Sequence, residues 1–143
     1  MQELLFKVMI QLRAMQLYAH NAHLLAARAP FFADHEALGA FYASHTAEFD
    51  SVAERMIGSG MDSSLAMVPM ISAIQEKIGQ LPSLNVAENK VYFSELLKME
   101  RELQQMIKIV CNDPGCSEGT KQLIGGIADM SEGRCYKISR RIK

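Results

Sequence analysis

Four segments of this chain repeat apolar residues at three- and four-residue steps, the pattern of long helices that each bury one face. In the first, Leu4, Leu5, Val8, Leu12, Met15, Ala19 and Ala22 mark that face and predict a helix from Met1 to about Ala27. Pro30 disfavours helical geometry at Ala29, and Asp34 stands where it can cap a second helix. That helix reaches about Gly58, where Gly58 and Gly60 supply the stop. A third is predicted from about Val86 to Val110 on Val91, Leu96, Leu97, Leu103, Met106, Ile107 and Val110, ended by Asn112-Asp113-Pro114-Gly115. The fourth runs from about Ser117 to Ile142 on Leu123, Ile124, Ile127, Met130 and Ile138.

The loops sort these helices in space. Short links join helices one and two and helices three and four, which makes two antiparallel hairpins. The link between helices two and three is long, and its apolar pattern from Leu65 to Ile78 predicts a short helix inside it. A connection of that length can cross the whole bundle. The expected fold is therefore all-α, a ferritin-like four-helix bundle with a long crossover connection containing a short helix between helices two and three. With 143 residues the chain fits one domain, residues 1–143. Its ten methionines fall at helical spacing and read as flexible core filler rather than a copper or redox array.

A formal net charge of −1 argues against a surface that is cationic throughout. No uncharged apolar run approaches the roughly 20 residues that span a bilayer, and the spaced apolar residues at the amino terminus do not form a signal peptide. Cys111, Cys116 and Cys135 lack the CxxC pairing of a zinc site and read as reduced thiols in a cytoplasmic setting.

Four polar residues stand apart: His23 near the end of helix one, His35 at the start of helix two, and Asp50 and Glu54 further along helix two. A tight turn at Pro30 would bring both imidazoles to one end of the bundle, and Asp50 and Glu54, four apart, share a helical face. Fifteen helical residues separate His35 from Asp50, roughly 22 Å at about 1.5 Å per residue, too far for one metal. One chain cannot close such a site. Two can, if helix two packs antiparallel against its copy across a two-fold axis, so that His23 and His35 of one chain face Asp50 and Glu54 of the other. Two imidazoles with two carboxylates suit iron, zinc or manganese, and ferrous iron best matches an oxidising site. The plainer reading is a helix-end histidine at the surface and a solvated acidic pair.

The segment from His23 to Arg55 resembles the signature of the Dps family, the DNA-protecting miniferritins of bacteria. It contains a histidine, a turn with Pro30-Phe31-Phe32, a second histidine twelve residues on at His35, then Tyr42, and finally Asp50 and Glu54 followed by Arg55. In the fourth helix Thr120, Leu123, Gly126 and Ser139 fall at family-like spacing, with Tyr136 at a usual Trp position. The resemblance implies His23, His35, Asp50 and Glu54 as metal ligands and catalytic residues of a ferroxidase. It also implies a dodecameric homo-oligomeric cage whose two-fold interface runs through helix two. Iron(II) would be oxidised there by hydrogen peroxide or oxygen and stored as ferric mineral, limiting oxidative damage. The alternative is a structural or DNA-associated cage with weak or no ferroxidase activity.

Departures from the family pattern narrow these expectations. Gly39 stands where a carboxylate usually follows the second histidine by one turn. Leu24 replaces a common Trp, leaving Tyr18 or Tyr42 to quench radicals, and Gln122 replaces an acidic pore residue, leaving Asp113, Glu118 or Asp129 to draw iron inward. No lysine-rich tail precedes helix one, which argues against DNA binding and a nucleoid location. The basic terminus Lys137, Arg140, Arg141 and Lys143 is expected to offset the helix dipole. His45, near the middle of helix two, is expected at the two-fold interface beside its own copy, and His20 at the surface. Glu95, Glu100 and Glu102 lack an E-x-x-H partner for a di-iron site within one subunit.

Overall fold

A computed structural model describes residues 1–82 and 88–143. Its helices are α1 (Gln2–Leu25), α2 (Phe31–Gly58), α3 (Met67–Gly79), α4 (Asn89–Asn112) and α5 (Glu118–Ile142), with a 3-10 turn at Asp62–Leu65 before α3. Among the described residues there is no strand, and no helix is long and apolar enough to cross a membrane. The all-helical expectation holds, including the short helix in the second connection. The predicted start of the third long helix at Val86 lies outside the described residues, and α4 begins at Asn89.

Local chemistry explains the ends. Ser117 caps α5, its Oγ accepting from the Thr120 backbone N–H at 3.2 Å. The Asp113 carboxylate accepts from the Gly115 N–H at 2.7 Å, a side-chain turn that leads out of α4. Gly60, with φ 76°, supplies the left-handed residue after α2. Between α1 and α2 the chain reverses through Arg28, whose φ of 63° is uncommon outside glycine.

Asp34 does not cap α2, contrary to expectation. It lies in the first turn and is buried, its carboxylate accepting from the Arg141 guanidinium at 2.7 and 2.8 Å and from Asn89 Nδ2 at 2.9 Å. Asn89 Oδ1 in turn accepts from the Ala27 N–H at 3.1 Å. Arg141 is thus a partner of α2 as well as a cation at a helix end. These contacts gather the end of α1, the start of α2, the start of α4 and the end of α5 at one end of the bundle. Consequently α2 and α4 run parallel, and α3 lies between them in the chain. This short helix packs across α1, and its Lys77 meets Glu102 of α4 at 2.8 Å. None of its residues is fully buried, and Met67, Val68 and Ile71 are exposed.

The core is apolar along most of its length. Leu5, Val8, Leu12 and Met15 of α1 meet Leu38, Val52 and Met56 of α2, Leu96 and Leu103 of α4, and Ile124 and Ile138 of α5. Met9, Met15, Met56 and Met99 are core filler as expected, whereas Met67 and Met130 are exposed. One polar layer interrupts this packing. Arg134 of α5 donates to Glu48 of α2 at 2.6 and 3.0 Å, to Glu100 of α4 at 2.6 and 3.2 Å, and to Ser44 at 2.8 Å. His45 Nε2 donates to Glu100 Oε1 at 2.8 Å, and Ser131 Oγ donates to Glu100 Oε2 at 2.6 Å.

This layer corrects two expectations. His45 is fully buried inside the bundle and cannot sit beside its own copy at an interface. It belongs to the inward stripe of Leu38, Phe41, Phe49 and Val52, spaced three, four and seven residues apart. Glu100, read as lacking a partner for a metal, has its lone pairs taken by an arginine, a histidine and a serine.

Burial alone would raise the Glu100 carboxyl, but the bonds from His45 and Arg134 outweigh it and hold the group below its ordinary range. The same competition, with Arg141 and Asn89 as donors, lowers Asp34. A carboxyl whose folded value is depressed stabilises the fold above its unfolded value and loses that contribution as pH falls through the folded value. Urea midpoints should therefore stay level from neutrality down to about pH 5 and drop below about pH 4, with a shallower drop in Asp34→Asn. Truncating Arg134 to alanine would leave two buried carboxylates face to face. We expect a loss of about 3–5 kcal/mol in urea unfolding, and a loss under about 1 kcal/mol would show the layer to be dispensable.

Candidate metal site at the first helical turn

The α1–α2 turn brings His23 and His35 together, as the sequence anticipates. Their rings stack with centroids 3.7 Å apart and planes 23° from parallel. Each ring also bonds the other's backbone: His23 Nδ1 lies 2.7 Å from the His35 carbonyl oxygen, and His35 Nδ1 lies 2.9 Å from the His23 carbonyl oxygen. A carbonyl oxygen only accepts, so both Nδ1 atoms carry hydrogen. In the neutral rings the lone pair then resides on Nε2. A backbone acceptor on Nδ1 is the usual device that fixes a metal-binding imidazole in orientation and tautomer. Here it operates twice, reciprocally.

Aromatic neighbours wall the pair. Phe31 stacks on His35 at 5.0 Å, and Tyr42 meets His23 edge-on at 5.4 Å. His20 stacks on Tyr42 at 4.4 Å and is half-buried, so it is a packing element rather than the plain surface residue expected. Of the two tyrosines considered as radical quenchers, Tyr42 adjoins the imidazoles. Tyr18 is in the core, where burial first, and then Glu95 and Tyr92, push its phenol above the ordinary range.

Asp50 and Glu54 lie exposed on the outer face of α2, fifteen and nineteen residues along from His35. One chain does not bring them to the imidazoles, and among the described residues no three histidine, cysteine or acidic side chains cluster closely enough to hold a metal. The pieces are thus a fixed nitrogen pair at one end of α2 and a solvated oxygen pair well along it. Cys111, Cys116 and Cys135 are free thiols.

Gly39 adds a contact that sequence reasoning did not anticipate. A methyl group at this position would lie 3.2 Å from Cε1 and 3.2 Å from Nδ1 of His23. The His23 ring therefore rests against the α2 backbone where a side chain would otherwise project. A glycine within a helical pattern hints at close approach but does not say what approaches.

The pair gives a direct test. Magic-angle-spinning NMR of protein labelled with nitrogen-15 histidine should show His23 and His35 as Nδ1–H tautomers when neutral, and Nε2–H forms would contradict the reciprocal bonds. Comparison with protein-family models and with curated proteins finds no match to this chain.

Proposed function

We propose that this chain is a Dps-like ferritin subunit that binds ferrous iron between two copies and oxidises it, storing ferric mineral in a homo-oligomeric, dodecameric cage. The observation that carries this reading is the pair His23 and His35, each pinned at Nδ1 with Nε2 left to ligate, at the opposite end of a helical span from exposed Asp50 and Glu54. Antiparallel packing of α2 on its copy brings the two sets together twice per dimer. Mixed nitrogen and carboxylate ligands suit iron(II), with zinc and manganese as competitors.

In the reaction each ferrous ion gives up one electron. Peroxide takes two electrons and two protons to form two waters, so two iron(II) ions are consumed per peroxide. The imidazoles and carboxylates hold the ion while its charge rises, and the anionic pair favours the ferric product electrostatically. Gly39 favours a second reading, a cage with weak oxidation, because its lack of a carboxylate leaves this half of the site without an oxygen ligand.

A complementation experiment addresses sharing directly. His23→Ala/His35→Ala subunits and Asp50→Ala/Glu54→Ala subunits should each be inactive in anaerobic iron loading followed by peroxide. Co-assembled, they regain activity, because each mixed dimer holds one site with both sets intact. Absence of recovery in demonstrated mixed assemblies, or a monomer by light scattering, would remove the shared site. Oxidation unchanged in Asp50→Ala/Glu54→Ala would remove these residues as ligands.

A further inference from the structure

Resting on the shared-site reading, we infer that Gly39 is a positioning residue, which seats the His23 imidazole against α2 and leaves this chain's half of the site with imidazole ligands alone, suited to a divalent first-row cation.

Gly39 lies within α2 with no turn to explain it, at a position where alanine would be the better helix former. What its missing side chain admits is the His23 ring, with Cε1 and Nδ1 each 3.2 Å from where a Cβ would stand. That ring has little freedom to yield. Its Nδ1–H is held by the His35 carbonyl at 2.7 Å, one face is covered by the His35 ring at 3.7 Å, and the Tyr42 edge lies at 5.4 Å. A side chain at position 39 would require the ring to give by a few tenths of an ångström against that short hydrogen bond and stack. Because His35 bonds reciprocally to the His23 carbonyl at 2.9 Å, disturbing one ring disturbs the other.

A chemical consequence follows for the ligand set. Glycine supplies no oxygen ligand there, and a carboxylate on position 39 would be accommodated only by displacing the His23 ring from its present place by a few tenths of an ångström. His20 lies 6.4 Å ring to ring from His23, yet among the described residues no three histidine, cysteine or acidic side chains are placed to hold one metal ion, so on this reading the carboxylate ligands come from the partner copy. Two imidazoles suit a borderline cation such as iron(II), cobalt(II) or zinc(II) better than magnesium or calcium.

Cobalt(II), whose visible bands report its ligands, serves as the probe on the assembled protein. Gly39→Ala should weaken cobalt binding about ten-fold, the lower range for disturbing the support of a metal-binding histidine. Gly39→Asp should also weaken it, although it adds a carboxylate. Without metal, Gly39→Ala should alter the His23 nitrogen-15 signals and leave those of buried His45 unchanged. In a His23→Ala background, Gly39→Ala should have no further effect on cobalt affinity, since the ring it displaces is gone. Tighter cobalt binding by Gly39→Asp, unaltered His23 signals in Gly39→Ala, or additive effects with His23→Ala would each overturn the inference while leaving the shared site standing. Wild-type protein that takes up no cobalt would overturn both.

Discussion

One guanidinium organises the middle of this bundle. Arg134, on α5, is gripped by Glu48 of α2 and Glu100 of α4, and Glu100 also accepts from His45 and Ser131. Apolar side chains slide past one another at little expense, whereas a buried guanidinium must meet its acceptors in one geometry or remain unpaired. The layer therefore sets the rotation and axial register of three helices at once. It also settles what the bundle interior can hold: both carboxylates are already committed to a cation supplied by the chain.

A second polar junction performs the same task at one end. Asp34 binds Arg141 and Asn89, and Asn89 reaches the Ala27 backbone, so all four long helices meet within a few bonds. Fixing the end of α1 against the start of α2 is what allows His23 and His35 to stack and to exchange hydrogen bonds with each other's carbonyls. The imidazole geometry is in this sense a product of the fold's end clamp.

Much of the architecture was legible in the sequence because helices announce themselves by period and by punctuation. Pro30, Gly60, Pro114 and Ser117 mark ends that the structure places within a few residues. Buried polar residues were harder. Residue type at a helix start suggests a cap for Asp34, and a mid-helix place under two-fold symmetry suggests an interface for His45, although both lie on stripes that face inward. For His45 the signal was present in its spacing from Leu38, Phe41, Phe49 and Val52. Nothing local identified Glu100 as its partner, because the pairing spans helices distant in sequence. The pairing of His23 with His35 was legible from the turn between them. Its reciprocal hydrogen bonds were not, since they depend on the offset between two helices.

Gly39 shows why a difference from a motif that a chain merely resembles is poorly described as a loss. Judged by ligand count, the position lacks a carboxylate and the site is poorer by one oxygen. Judged by packing, the position is used: the His23 ring lies 3.2 Å from where that side chain would begin. A missing ligand and a close-packed imidazole are then two descriptions of one substitution. Restoring the carboxylate need not restore the ligand set, because the added atoms would shift the close-packed His23 ring from its place. The proposed reaction accordingly turns on whether the partner's Asp50 and Glu54 can supply enough negative charge to complete a site that the imidazoles only begin.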